Sequence, residues 1–182
     1  MAFTSGKYYP EAAAGRVFIG STAAAGVSPP ISTGTAITFG LWNTSTAQNA
    51  VLLQLNAGYT SGTIALGEFG IGVQAVGLAT GTGAPMAAAT VVEPVNAIVG
   101  AGKGSGMSFI SSTATLTAGT NTVAYWLGVS KESATAGLGL WTFQYDFDGT
   151  LIVPPGSVAF LCASVAATEK ITASLTWAEV DI

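Results

Sequence analysis

The segment Leu140-Trp141-Thr142-Phe143-Gln144-Tyr145-Asp146-Phe147 decides the fold of this chain, because apolar and polar residues alternate along it after the first position. A period of two places its four aromatic residues on one side of a β-strand and the polar residues on the other. Near the C-terminus, Ile171, Ala173, Leu175 and Trp177 alternate with Thr and Ser in the same way. Each segment therefore predicts a strand with one buried face.

Similar segments recur along most of the chain. Further strands are predicted around residues 16–19, 37–41, 51–55, 69–73, 107–117, 123–129, 151–153 and 158–162. Helical periodicity is nearly absent, and strands do not alternate with helices as they would around a parallel sheet. We therefore expect an all-β protein, an antiparallel β-sandwich of the jelly-roll type.

Two features predict how the chain is organised. Residues 1–34 are rich in Ala and Gly and end near Pro29-Pro30, which favours an extended N-terminal arm, with the β-sandwich domain over residues 35–182. Asp148-Gly149 lies between two predicted strands and is a strong signal for a two-residue hairpin turn.

The charge content is unusually low. The chain of 182 residues has five basic and nine acidic residues and no histidine, and Val17–Gly67 contains no charged residue. A typical soluble domain is about a quarter charged. Such a chain has little charge to keep neighbouring molecules apart, so we expect much of its surface to be covered by copies of itself or by a larger assembly.

The composition also argues against several function classes. The five basic residues are scattered and form no patch that could neutralise phosphates, so no nucleic-acid binding is expected. No run reaches the roughly 20 apolar residues of a membrane span, and the N-terminus lacks the pattern of a signal peptide. Classical zinc ligation needs more His and Cys than this chain has. Its single cysteine, Cys162, alternates with apolar residues and is expected in the core.

The motifs that could carry chemistry are weak. Residues 97–104 superficially resemble a phosphate-binding loop but lack its first glycine and the hydroxyl after the lysine, so a flexible glycine-rich loop is the better interpretation. Asp146 and Asp148 share a predicted strand face and could bind a cation with a further carboxylate from a neighbouring subunit. No pair of carboxylates is placed across a cleft as glycosidase chemistry requires. We therefore predict no catalytic, cofactor-binding or metal-binding residues and no enzymatic activity.

Four aromatic residues are the predicted interface positions. Trp42 and Trp126 face away from the apolar side of their strands, and outward tryptophans commonly anchor interfaces or form platforms for sugars. Tyr8 and Tyr9 lie in the predicted arm, which we expect to reach a neighbouring molecule. The low charge favours subunit interfaces over sugar binding at these positions.

Several short segments carry a family resemblance. They are Gly40-Leu41-Trp42-Asn43, Val51-Leu52-Leu53, Gly58-Tyr59-Thr60-Ser61-Gly62-Thr63, Asp148-Gly149-Thr150-Leu151-Ile152-Val153-Pro154-Pro155-Gly156 and Ser174-Leu175-Thr176-Trp177-Ala178-Glu179-Val180. In this order the chain resembles small structural proteins of tailed bacteriophages over roughly residues 35–180. The resemblance implies one jelly-roll-like domain in a virion, of the trimeric capsid decoration type, and it supplies no catalytic residues.

The leading expectation is therefore a virion structural protein, assembled in the host cytoplasm, that forms a homotrimer and binds the major capsid protein or other virion proteins. The alternative is a tail or fibre module that recognises a host glycan through an aromatic platform near Trp42 or Trp126. A small enzyme is a third possibility, supported only by the isolated carboxylates.

Overall fold

A computed structural model describes residues 6–74, 86–87, 91–116, 122–131 and 142–182. Almost all regular structure in these residues is β-strand, as the alternation predicts. The elements are α1 (Tyr9–Ala13), β1 (Val17–Ser21), β2 (Ala36–Ile37), β3 (Gly40–Trp42), β4 (Gln48–Ser61), β5 (Gly67–Gln74), β6 (Met86–Ala87), β7 (Val91–Val92), β8 (Val95–Asn96), β9 (Ser108–Ile110), β10 (Ala114–Leu116), β11 (Thr122–Lys131), β12 (Thr142–Asp146), β13 (Ile152–Val153), β14 (Val158–Ala163) and β15 (Lys170–Asp181).

The strands form two large sheets and one small sheet. The first sheet has the order β12-β4-β15-β1-β8, and β13 also pairs with β4. The second sheet has the order β11-β5-β14-β3-β9-β7, and the small sheet has the order β2-β10-β6. The named strand pairs are all antiparallel, so the predicted antiparallel β-sandwich is confirmed.

The pairing of the long strands is nested. β1 pairs with β15, β3 with β14, β4 with β12 and β5 with β11, so the early strands meet the late strands in reverse order. This order results when one long antiparallel hairpin is rolled into two facing sheets, which is the jelly-roll arrangement. Because β4 and β5 also pair with β15 and β14, the rolled hairpin closes against itself.

The main core lies between the two large sheets and contains a line of aromatic rings. The Trp177 ring on β15 stacks against Phe18 at 6.2 Å and against Phe109 at 6.0 Å, and Phe109 meets Phe39 edge to face at 5.2 Å. All four side chains are fully buried or nearly so. Gly20 leaves space for this line, because a Cβ there would lie 2.4 Å from the Phe109 ring.

The expectation that residues 1–34 form an arm separate from the core is wrong for much of this segment. β1 lies between β15 and β8, and its Phe18 is completely buried in the main core. Val27 bridges to Ile171, and Ile31 bridges to Ala163. Ala and Gly content suggested an arm here, but a short strand needs only a few apolar residues to be buried by its neighbours.

Two local predictions also differ from the structure. Phe147–Thr150 form a turn with positive φ at Asp148 and Gly149, but β12 and β13 both pair with β4 rather than with each other. The predicted hairpin is therefore not formed. The turn instead interrupts one edge strand, whose two parts, β12 and β13, both pair with β4. The alternation of residues 51–55 predicts Val51, Leu53 and Leu55 on one face, but the register of β4 shifts at Leu53. Leu52 and Leu55 therefore face the core, while Leu53 packs on the opposite side of the first sheet.

The small sheet covers part of the outer face of the second sheet. Apolar residues of β2 and β10 pack there against Ile110, Val158 and Phe160 and form a second core cluster. Cys162 lies in this cluster, fully buried as expected, and its thiol donates to the Gly70 carbonyl at 3.3 Å. Burial raises the pKa of the Cys162 thiol to about 11, which keeps it protonated and unreactive at neutral pH.

Candidate functional site

The two tyrosines of the predicted arm have different environments. Tyr8 packs against the outer face of the first sheet with Ala12, and its hydroxyl donates to Asp148 Oδ1 at 3.1 Å. The Lys7 ammonium pairs with the same carboxylate. The Tyr8 side chain therefore makes contacts within its own chain, and these contacts hold α1 on the sheet. Tyr9 is about half exposed and is free to contact another molecule.

Trp42 is only partly available. It faces outward on β3, as the sequence predicts, but it packs against the second core cluster beneath the small sheet. Its indole Nε1 is buried and has no hydrogen-bond partner in the described part of the chain. Trp42 therefore packs mainly within the chain and offers only part of its ring to another molecule.

Trp126 is exposed, as predicted. Its side chain keeps 45% of its accessible surface, and the ring lies on Gly70, where a Cβ would come within 2.9 Å of the indole. Trp42 lies three strands away and four residues along the sheet, a separation of roughly 20 Å from strand spacing and rise. The two tryptophans therefore do not form one aromatic platform.

The outer face of the first sheet has two chemically different ends. The register places residues from four strands in rows across this face. One row is Gln144, Asn56, Ser174 and Ser21, and the next is Thr142, Gly58 and Thr172. These rows form the polar end of the face.

A cleft of about 540 Å³ lies at the polar end. It is lined by Ser21, Thr22, Asn56, Ala57, Gly58, Thr142, Phe143, Gln144, Thr172, Ala173 and Ser174. Gly58 sits between two threonines and leaves a gap in its row, because it carries no side chain on this face. This cleft was not predicted from the sequence. The sequence feature that could have indicated it is the set of Thr and Ser residues that alternate with the apolar residues of β15.

The other end of the face is apolar and carries α1. Val17, Leu53 and Ala178 are buried there beneath Tyr8 and Ala12. Around this covered centre, four large apolar side chains of the outer face are exposed by 37–61%. They are Ile19, Val95, Ile152 and Val180. Their strand partners fix their direction, since Ile19 lies opposite Val95 and Ile152 opposite Val51. We call these four residues and Tyr9 the apolar patch.

The aspartates considered for cation binding have separate partners. Asp146 Oδ1 accepts from Gln54 Nε2 at 2.8 Å, whereas Asp148 binds Lys7 and Tyr8. Within the described residues, no group of three or more His, Cys, Asp or Glu side chains is placed to hold a metal ion. The helical part of the described chain contains no segment with the length and apolar character of a membrane span.

Glu179 is a buried carboxylate whose structural role the sequence analysis did not identify. It is 1% exposed and accepts hydrogen bonds from the Ser105 hydroxyl, from Gly106 N–H at 3.1 Å and from Trp177 Nε1–H at 3.4 Å. These bonds anchor the end of the glycine-rich loop 97–104, whose exposed side chains include Val99. Glu179 follows Trp177 by two residues, so the alternation itself places a carboxylate on the buried face.

Comparison with known proteins gave no similarity: no protein-family model, curated protein or solved structure matches this chain.

Proposed function

We propose that this chain is a structural protein of a virion, a capsid decoration protein that associates with itself as a homotrimer and binds the capsid exterior. It would act mechanically and without catalysis, after assembly in the host cytoplasm. A protein that binds only the assembled shell lowers the free energy of that shell relative to its dissociated parts. The jelly-roll fold occurs in viral capsid domains and also in lectins, so the fold alone does not decide between these functions.

The apolar patch is the observation that carries the proposal. Four exposed large side chains of the first sheet surround a helix-covered centre, and Tyr9 of the covering helix is exposed as well. Clustered exposed apolar residues on a soluble protein mark interaction surfaces more often than scattered ones. Tyr9 lies in α1 within this patch, which supports its predicted interface role.

The charges near the patch support burial in an assembly. Lys7 pairs with Asp148, and Arg16 Nε donates to Glu11 Oε2 at 2.6 Å. These ion pairs join side chains of the same chain, so a partner need not supply a compensating charge. Burying these ion pairs in an interface therefore costs less desolvation free energy than burying unpaired charges.

The test is the oligomeric state of the purified protein and of two matched variants. Sedimentation velocity should show a trimer for the parent chain. Ile152→Glu places a charge in the patch and should dissociate the trimer, whereas Leu66→Glu changes a side chain that is 68% exposed on the β4–β5 loop and should not. Co-sedimentation with capsid shells of the encoding virus should follow the same order. A parent chain that is monomeric and does not bind shells would contradict the proposal.

A further inference from the structure

The cleft at the polar end of the first sheet has features of a ligand site that the proposed function does not use. The cleft is shallow and open to solvent, and its volume of about 540 Å³ falls within the usual range of small-molecule sites. Its residues come from β1, β4, β12 and β15 and from the residue after β1, so most of its lining lies on four hydrogen-bonded strands of the first sheet.

The lining is uncharged, which limits the class of ligand. None of its residues is ionisable. The nearest row toward the apolar end holds Asp146, and that carboxylate already accepts a hydrogen bond from Gln54. The cleft therefore offers no counter-charge to a phosphate, a sulfate or a carboxylate, and it offers no set of anionic ligands to a cation.

The lining is also rich in free hydrogen-bonding groups, which makes an apolar occupant unfavourable. Among the described residues, the side chains of Ser21, Thr142, Gln144 and Ser174 make no hydrogen bond. Covering such groups with an apolar surface is unfavourable, because each group left without a partner loses its hydrogen bonds to water. The occupant must therefore carry donors and acceptors of its own.

One side chain of the cleft is held in place by its neighbours. Asn56 Nδ2 donates to Gln54 Oε1 at 2.9 Å, and Gln54 Nε2 donates in turn to Asp146 Oδ1. This chain of bonds fixes the Asn56 amide and leaves its Oδ1 without a partner among the described residues. An acceptor that is already oriented loses less entropy when it binds a hydroxyl group.

From these observations we propose that the cleft binds a neutral, hydroxyl-rich ligand, a short oligosaccharide without acidic groups. Hydroxyl groups can donate and accept at once, so they match a lining of serine, threonine, asparagine and glutamine. The site lies on the opposite sheet from Trp42 and Trp126, so it does not depend on the aromatic platform expected from the sequence.

The first experiment is a glycan array with neutral and acidic members, followed by NMR titration of the labelled protein with lactose and sialyllactose, or with the best neutral hit and its acidic counterpart. Binding of neutral glycans with shifts at β4, β12 and β15 is the expected result. Binding of acidic glycans only, shifts confined to the second sheet, or no binding at millimolar concentration would overturn the proposal. Protection of the cleft by a second copy in the unliganded protein would also overturn it.

Matched variants then assign the binding to the cleft. Ser174→Ala and Gln144→Ala should each weaken binding by about 2- to 10-fold, as expected for one lost hydrogen bond. Thr176→Ala lies on the same strand and face but outside the cleft, and it should leave binding unchanged. Thermal unfolding of each variant shows whether it is folded. Equal effects of Ser174→Ala and Thr176→Ala would refute the assignment.

Discussion

Replacement of Glu179 by Gln tests the anchoring of the glycine-rich loop. The parent carboxylate is 1% exposed and accepts from three donors, the Ser105 hydroxyl, Gly106 N–H and the Trp177 indole. Gln has nearly the same shape but is neutral, and one of its two polar atoms is a donor. The substitution therefore changes the hydrogen bonds without leaving a cavity.

Two effects of this substitution oppose each other. A hydrogen bond to a charged group contributes about 1.5–3 kcal/mol, and a neutral one about 0.5–1.5 kcal/mol, so three weakened bonds cost up to about 3–4 kcal/mol. Removing a buried charge, in contrast, avoids its desolvation penalty. These bond values are net of desolvation, so we expect the hydrogen bonds to dominate. The free energy of unfolding should fall by about 2–3 kcal/mol.

The assay combines urea unfolding with amide hydrogen exchange. The Gly106 amide should exchange faster in Glu179→Gln, because the acceptor of its hydrogen bond is weaker. Glu68→Gln is the matched control, since Glu68 is exposed and its change should stay within about 0.5 kcal/mol. If Glu179→Gln is as stable as the parent and Gly106 is equally protected, the carboxylate does not anchor the loop and this reasoning is wrong.

Three further predictions concern the core. Gly20→Ala should destabilise by about 1–3 kcal/mol, because its Cβ would lie 2.4 Å from a phenylalanine ring, whereas Gly104→Ala, with nothing within 4 Å, should have little effect on the urea midpoint. Phe18→Ala should lower the free energy of unfolding by about 3–5 kcal/mol, and Ile19→Ala should lower it much less. A small loss for Phe18→Ala would support the interpretation of residues 1–34 as an arm. The pKa of the Cys162 thiol is raised from 9.0 to about 11 in the folded chain, so the unfolded chain loses the thiol proton at lower pH. The contribution of the buried thiol to stability is therefore full below pH 9 and is lost as the pH rises toward 11. The expected loss in the free energy of unfolding is about 3 kcal/mol. Unfolding curves of Cys162→Ala should therefore show a weaker loss of stability in that range than those of the parent.

The alternation of apolar and polar residues was sufficient to predict the sandwich and the buried face of its longest strands. Ile171, Ala173, Leu175 and Trp177 are all buried, and Phe143–Phe147 turn their aromatic side chains toward the core. Trp141, also predicted on that face, lies outside the described residues. Period-two patterns succeed here because one face of each strand meets the other sheet and the opposite face meets water.

The sequence-based errors arise where the fold departs from that period or where residue composition was used in its place. The extra residue at Leu53 shifts the faces of β4, and only the register with β15 reveals it. Asp148-Gly149 has the φ angles of a hairpin turn, but the strand after it returns to the same partner. A turn signal specifies local backbone geometry and does not specify which strand pairs next.

The candidate sites were harder to predict, because they depend on neighbours that are distant in sequence. Trp126 is exposed, as its outward position indicates, whereas Trp42 is partly buried against the second core cluster, which no local sequence pattern predicts. The apolar patch joins residues from α1, β1, β8, β13 and β15. Outward alternation marks a side chain as absent from the main core, but only the topology shows what else covers it.

The two ends of the outer face favour binding partners of different polarity. Val95 and Ile152 gain free energy when water is excluded, in proportion to the apolar area covered. Ser174 and Gln144 lose free energy when covered unless each finds a partner. One broad apolar surface laid over the whole face would gain at the first end and lose at the second. Assembly through the apolar patch is therefore compatible with a cleft that stays open to a small polar ligand.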